Sequence, residues 1–553
     1  MSAAGTVAAL WSVFVLVGCG PGPTASVGPE TAAREEPQYG GVFRIPDRAS
    51  AFISRDPYQG GVNSERALKG RPVYEPLVTY RFEHGTDYRN KSEVVPWLAE
   101  KWEQRTPAEY VFTLNKDAKW QDGRELTAED VVYTVRRVLD PERKYSLRAD
   151  WLDIKEVAAE GEYQVRISLK TPNPEFLGER LTDKPILPRH LEDRGQDIDK
   201  VAIGTGAFKM VTMDNQKGLT FERNPNYWQS GLPYLDGIVV YKGLDDSGLL
   251  AALNTGQIDV YNPDNPTTAE QLRSMVPGLG TLQYSYINNN TVFMHLDRPP
   301  FNDLRIRKAL HLGLDRQKLI ALGLAGKGNL VGPGSQPGSP DALSNDELIT
   351  IPGLNPTTKA QDIREARRLL DEVGFPLTSK LKLAYSLSQP SSKALAEPLV
   401  TLWMQELGLQ LELEPLESAT FESRRIAGDY QLVMAPPGLP ALRSYNQFYK
   451  SGGIYTKGYG GGDPDLDRLI EAAEGEASLD KRRDFYRQVQ RAVYEKLPGI
   501  VLVEPIGFAT WQPWLKNYFT NAGAQVIPFY TPPTTWIDRS LLPEARKSEK
   551  LPF

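Results

Sequence analysis

The stretch YVFTLNKDAKWQDGRELTAEDVVYTVRRVLDP, residues 110–141, carries a strand and then a capped helix. Tyr110-Val111-Phe112-Thr113-Leu114 alternates as a half-buried strand does. Thr127-Ala128-Glu129-Asp130 reads as a helix N-cap with an acidic residue at the third helical position, a close variant of the capping box. Val131, Val135, Val138 and Leu139 then recur at helical spacing. A second strand follows, with Tyr163, Val165, Ile167 and Leu169 on one face and Gln164, Arg166 and Ser168 on the other.

Outward from this block the same alternation of strand and helix continues. Order begins at Gly40-Gly41-Val42-Phe43-Arg44-Ile45, a strand-like segment. Asp303 precedes a helix carrying Ile306, Leu310, Leu314 and Leu319. Another helix spans about Gln361 to Val373, with Ile363, Ala366, Leu370 and Val373 on one face and Gly374 closing it. Leu409, Leu411 and Leu413 alternate with Gln410, Glu412 and Glu414 as a strand. Asp463-Pro464 opens a further helix with Pro at its first position, and Phe485, Val489, Val493 and Leu497 stripe the next. Strands interleaved with helices imply α/β layers. The chain has no internal repeat.

At 553 residues the chain is too long for one core, so two or three domains are expected. Its 64 basic residues against 70 acidic ones, with no basic block, argue against nucleic acid as a partner. The single cysteine, Cys19, ends the string Leu16-Val17-Gly18-Cys19 after an apolar run from Val7. That run has the length of a signal-peptide core and is too short for a stable membrane span. The string matches the lipobox of bacterial lipoproteins, although Met1 to Thr6 holds no Lys or Arg. The expectation is a signal peptide over 1–18, a lipidated Cys19 and a flexible Pro- and Gly-containing tether over 19–38.

Several chemical signatures are imitated and then broken. Ala325-Gly326-Lys327-Gly328 lacks the upstream Gly and the Ser or Thr of a phosphate loop. Asp463, Asp465, Asp467 and Glu474 mimic a calcium loop, but Pro464 and Arg468 occupy positions such a loop cannot give them. An acidic helix N-terminus, favoured by the macrodipole, accounts for them. His84, His190, His295 and His311 are scattered, and no Gly-x-Ser-x-Gly elbow exists. No enzyme activity, metal or cofactor is therefore expected.

The ordered segments resemble family 5 of the bacterial extracellular solute-binding proteins, the receptors of peptide-type ABC importers, from about Gly40 to Pro505. The likeness lies in Tyr74-Glu75-Pro76-Leu77-Val78, Pro96-Trp97-Leu98-Ala99-Glu100-Lys101-Trp102 and the block from Tyr110 to Pro141. It continues through Gly204-Thr205-Gly206-Ala207-Phe208, Asn224-Pro225-Asn226-Tyr227-Trp228, Gly256-Gln257-Ile258-Asp259, Pro300-Phe301-Asn302-Asp303 and Asp315-Arg316. The resemblance implies a two-lobed periplasmic-binding-protein fold of the class II, or cluster C, type with an extra subdomain in lobe I. On that pattern lobe I takes 39–72, 199–283 and 504–553, its inserted subdomain 73–198 and lobe II 284–503. The crossings between lobes fall near Leu282 to Leu296 and Gly499 to Pro505.

The function implied is a monomeric, lipid-anchored, extracytoplasmic receptor. It would capture a peptide or other small polar solute by hinge closure and deliver it to an ABC permease. Peptide-binding members hold the ligand's amino group with an aspartate after a strand matching Gly428-Asp429-Tyr430-Gln431-Leu432-Val433-Met434-Ala435. Here Pro436-Pro437-Gly438-Leu439-Pro440 follows, without that aspartate. Arg425 matches a basic position used near the ligand carboxylate. The departing segment supplies Arg443, Tyr445 and Asn446, either as ligand contacts or as part of a surface loop that has drifted. Tyr58 occupies a loop that often gives an aromatic contact, and a core tyrosine is the other reading. A non-transporting envelope sensor or chaperone of the same fold, or a surface-tethered hydrolase, would be the competing functions. A neighbouring permease gene would separate the first from transport, and turnover of peptide, ester or glycoside pools would reveal the second.

Overall fold

The computed structural model describes residues 36–47, 52, 54–59, 70–81, 93–263, 266–285, 290–438, 440–518 and 533–548. Cys19, the expected signal segment and most of the tether lie outside the described residues, as does His84. The chain divides into a unit Met1–Pro37 and a unit Gln38–Phe553, and the elements below belong to the second.

Two sheets organise the first half of the chain. Val42–Asp47 lies parallel to Gly237–Lys242, which pairs with Gly218–Arg223 and then Phe208–Asp214. The residues between the first two of these strands build an antiparallel sheet of their own, Ala99–Thr106, Glu109–Leu114, Gln164–Leu169 and Ile154–Ala159. The helix Ala128–Leu139 packs on that second sheet with Val131, Val132, Val135 and Val138 buried, and Thr127 and Asp130 close a full capping box at its start. Arg166 projects from the outer face among Glu109, Glu156 and Glu160, as the polar side of a half-buried strand should.

Three sequence motifs of this region meet at one carboxylate. Glu75 is buried and accepts from Trp97 Nε1 at 2.9 Å, Tyr227 Oη at 2.6 Å and Trp228 Nε1 at 2.9 Å. Burial pushes its pKa up while these donors pull it back. Gly206 passes so close to the neighbouring backbone that a Cβ would stand 2.5 Å from the Pro72 carbonyl, and its N–H donates to Val73 O at 2.7 Å.

The later half is built on a five-stranded mixed sheet, in the order Gln410–Leu416, Lys380–Ser386, Leu432–Ala435, Thr291–Met294, Gly499–Val501. Pro390–Leu407 and Ser418–Ala427 are the crossover helices joining its parallel strands. Both faces are covered, and the strand period divides the side chains between two cores. Val292, Met294, Leu432, Met434 and Ile500 enter one core, and Phe293, Val433, Ala435 and Val501 enter the other.

The sequence reading runs a single helix from Asp303 through Leu319, whereas the structure has two, Leu304–Leu312 and Arg316–Gly323. Gly313 ends the first, and the Asp315 carboxylate caps the second by accepting from Gln317 N and Lys318 N at 3.1 Å each. An intrahelical Asp with two free N–H groups ahead of it makes a better cap than a helix interior. Asp463 likewise caps Pro464–Gly475, as the macrodipole argument requires.

A third sheet joins Val260–Tyr261, Glu504–Trp511 and Gly280–Ser285. Its neighbour Asp259 is fully buried and fixes the C-terminal segment. It receives Arg546 Nη1 at 2.5 Å and Nη2 at 3.2 Å, Trp514 Nε1 at 2.8 Å and the Arg44 N–H at 2.8 Å. Asp259→Ala would leave the Arg546 guanidinium buried without its counter-charge. We expect it to lower the unfolding free energy by about 3 kcal/mol or more; a denaturant titration showing under about 1 kcal/mol would refute this role for the pair.

Candidate functional site

The chain passes from the third sheet to the five-stranded sheet at one place and returns beside it. Gly280–Ser285 pairs antiparallel with Glu504–Trp511 on one side, and Thr291–Met294 pairs with Gly499–Val501 on the other. Between these ladders the Leu502 N–H donates to Asn290 O at 2.8 Å. The two crossing segments thus run side by side between separate hydrophobic cores, an arrangement that can serve as a pivot.

The return segment is held from the five-stranded side by a buried cation. Arg316, 2% exposed, donates Nη2 to Val501 O at 2.6 Å and Nε to Val501 O and Leu502 O at 3.0 and 3.3 Å. Nη1 reaches His311 O and Gly353 O, and Nη2 also reaches His311 Nδ1 at 3.1 Å. Desolvation, with the Arg316 charge behind it, drives the His311 pKa well down. The ring is therefore neutral, accepting at Nδ1 and donating from Nε2 to Pro352 O at 2.8 Å. Gly353 has φ +87°, and a Cβ there would stand 2.8 Å from the His311 ring. Lys359 completes the cluster, its Nζ donating to the carbonyls of Leu312, Leu314 and Gly353.

Away from the crossing in sequence, side chains reach from one body to the other. Arg443, on the helix Ala441–Phe448, stands 2.6 Å from Asp150 Oδ1, on the turn Ser146–Trp151 of the inserted sheet's surroundings. Arg482 and Tyr486, on Leu479–Lys496, both reach Glu175, Nη1 at 3.3 Å and Oη at 2.7 Å. Arg482 Nη1 also donates to Asn173 Oδ1 at 3.1 Å. Next in sequence to the first pair, Trp151 Nε1 and Ser444 Oγ are buried polar atoms without a hydrogen-bond partner among the described residues. Such groups cost free energy unless something bonds to them.

Of the five side chains singled out in the sequence, Arg443, Tyr445 and Asn446 share the helix Ala441–Phe448, and Arg425 stands 5.6 Å from the Phe448 ring at its end. Arg443 lies at the junction of the two bodies. Tyr58 is buried in the first, donating to Pro185 O at 2.8 Å and packed on Tyr145 and Trp151. Arg425 stacks 3.9 Å over the Tyr455 ring and pairs with Glu422 at 2.6 Å. Tyr445 is buried in the later half, its hydroxyl donating to Pro333 O at 3.0 Å. Asn446 Nδ2 donates to Glu474 at 2.7 Å. Sequence reasoning missed Asp150, Glu175, Arg482 and Tyr486, since none belongs to a motif and the partners are some 300 residues apart. Among the described residues, no three His, Cys, Asp or Glu side chains gather to hold a metal, and no helix is long and apolar enough to cross a membrane.

Comparison with known proteins agrees with this geometry. The sequence profile of "Bacterial extracellular solute-binding proteins, family 5 Middle" matches residues 93–456. The periplasmic murein peptide-binding protein MppA of Escherichia coli is 24% identical over 480 residues, covering 80% of this chain and 85% of its own. The periplasmic oligopeptide-binding protein OppA of Salmonella typhimurium is 28% identical over 462 residues, covering 76% and 81%. The ABC transporter substrate binding protein CtaP from Listeria monocytogenes has the same fold, with a TM-score of 0.74 at 20% identity over 90% of this chain and 100% of that one. That fold is two-lobed, with mixed α/β layers.

The cluster under the pivot has a pH signature. Desolvation first, and the Arg316 charge second, push the Lys359 ammonium down from 10.5 to about 8. Between these values the unfolded chain holds a proton that the folded chain has released. Raising the pH through that window therefore stabilises the fold through this group, and below it the contribution is constant at its least favourable. We expect wild type to gain stability relative to Lys359→Met as the pH rises from about 7.5 to about 10. Paired urea titrations check this, and a flat difference would contradict it.

Proposed function

The chain belongs to family 5 of the bacterial extracellular solute-binding proteins, and on that premise we propose that it is the receptor of an ABC importer. It works outside the cytoplasmic membrane, capturing a peptide-like or other small polar organic solute between its lobes and handing it to a permease. Lobe II is the body on the five-stranded sheet, and the segments around Asn290 and Leu502 are the hinge. The observation that carries this reading is the pairing of two crossing segments in one place, together with charged side chains that meet between the two bodies. Closure adds contacts that the open form lacks, so a solute that bonds to both lobes shifts the population toward the closed form.

Two features shape the choice of solute. The segment after Leu432–Ala435 offers prolines where peptide binders place an aspartate, so a buried ligand ammonium has no carboxylate there. Trp151 Nε1 and Ser444 Oγ favour a solute that accepts hydrogen bonds near the Arg443 guanidinium. We read Arg443 as the lobe II contact of this site. Tyr58, Arg425, Tyr445 and Asn446 serve as the packed supports behind the two walls.

The chain's relation to the membrane follows from Cys19. Diacylation there would hold the protein on a membrane surface, with the Pro-containing segment after it as a spacer. The receptor acts as a monomer in this scheme.

Two measurements test the proposal. Native mass spectrometry of the purified protein should find a co-purified small solute, and that solute at a hundredfold excess over its Kd should raise the unfolding free energy by about 2.7 kcal/mol. Failure of every peptide, amino-acid conjugate and sugar acid in a broad screen to shift the melting temperature would count against it. Separately, Cys19→Ala should move the protein from the membrane fraction to the soluble fraction; unchanged membrane association would exclude the lipid anchor.

A further inference from the structure

The cross-lobe contacts are unequal, and their charge pattern sets one apart. Four carboxylates on this side of lobe I share two cations of their own lobe. Lys184 serves Asp183 at 2.6 Å and Asp150 at 3.5 Å, and Arg180 serves Asp153 at 3.6 Å and Glu179 at 3.9 Å. Glu175 differs. Among the described residues, its only ion-pair partner is Arg482 of lobe II.

Arg482 is built to meet it. The side chain is 1% exposed, and lobe II alone fixes its guanidinium, with Nε donating to Glu476 O at 3.1 Å and Nη2 to Glu474 O at 3.0 Å. One edge, Nη1, is left to point across the junction at Glu175 and Asn173. Tyr486, one turn further along the same helix, adds its hydroxyl to the same carboxylate oxygen. Bonds made by a group already held in place lose little side-chain entropy when they form. Separation of the lobes removes both donors from Glu175 together, whereas Asp150 keeps Lys184 when Arg443 withdraws. Arg443 is also more exposed, at 31%, so water screens its pair more strongly.

We propose that Arg482, with Tyr486, is a positioning residue for solute capture: it latches lobe II onto Glu175 and sets the population of the closed form before any solute contributes. All groups of the latch belong to the protein, so its strength is a constant added to the affinity for every solute that closes the lobes. Arg443 and Asp150 form a weaker, auxiliary contact. This inference rests on the reading of the chain as a receptor that closes.

The test uses the full chain carrying Cys19→Ser, with spin labels on Lys155→Cys in lobe I and Lys393→Cys in lobe II, both exposed positions. Interlobe distances are measured by pulsed dipolar spectroscopy without added solute. Arg482→Ala should lower the closed-to-open ratio roughly tenfold, and Arg443→Ala only about twofold. Glu175→Gln, which preserves shape and the acceptor for Tyr486, should act in the same direction and carries the test should Arg482→Ala fold poorly. The interlobe distance of wild type should lengthen with added salt and that of Glu175→Gln should not, a difference that a merely structural arginine would not produce. An unchanged distance distribution in Arg482→Ala and Glu175→Gln, or a wild-type distance that does not respond to salt, overturns the latch. A melting screen against mixed tripeptides on the same samples separates the two claims. Stabilisation of wild type and Arg482→Ala to equal extents ends the latch alone. A salt- and charge-dependent distance with no stabilisation by any solute supports the latch and removes the receptor reading.

Discussion

A buried guanidinium with no ion-pair partner among the described residues holds the return strand that joins the two bodies. Arg316 is closed off from water, and carbonyl oxygens and one neutral imidazole meet its donors instead of an acidic partner. Two of those carbonyls, Val501 and Leu502, belong to the segment that leaves lobe II. A charge in that position costs several kcal/mol unless every N–H is bonded. The price is met only in one arrangement of the return strand, of the loop at Gly353 and of the His311 ring. The pivot therefore has a fixed end in lobe II. In the proposed closure the turn falls at the short stretch beyond it, where Leu502 bonds to Asn290.

The same logic governs lobe I. Glu75 and Asp259 are buried carboxylates, each surrounded by donors drawn from distant parts of the sequence. Glu75 ties the segments at Trp97 and at Tyr227–Trp228 to its own segment, and Asp259 ties in the C-terminal Arg546. These are polar staples in an otherwise apolar core. They specify which segments meet, which apolar packing alone enforces less strictly. These bonds cross-link distant segments electrostatically as well as sterically, which suits a body that would close on a solute without deforming.

Much of the local structure was legible from the chain. The strand at Tyr110–Leu114, the alternation at Val165–Leu169, the Thr127 capping box and the Asp463-Pro464 helix start took the predicted form, because each depends on neighbours within a turn or along one strand, whereas Val111, expected on the open face, is buried. The helix from Asp303 to Leu319 was read as one because its apolar residues keep a helical period; the cap at Asp315 broke it. The candidate site was far less legible. Arg443 drew attention as a donor in a segment that departs from the family pattern, while Tyr445, from the same segment, buries its hydroxyl against Pro333. Helix phase, which the short and irregular stretch after Ala435 did not reveal, decided which of the two faced lobe I.

The sequence by itself determined the layers, the family and the order of the elements, since hydrophobic period, caps and motif strings are properties of consecutive residues. Tertiary structure alone decided the partnerships. The acidic residue that ends at Arg482, the carbonyls that surround Arg316 and the rings that enclose Glu75 are joined across tens to hundreds of positions. A charged side chain looks the same in the sequence whether it faces water or a buried counter-charge. The free energy that distinguishes the two comes from desolvation, and desolvation exists only once the chain has folded.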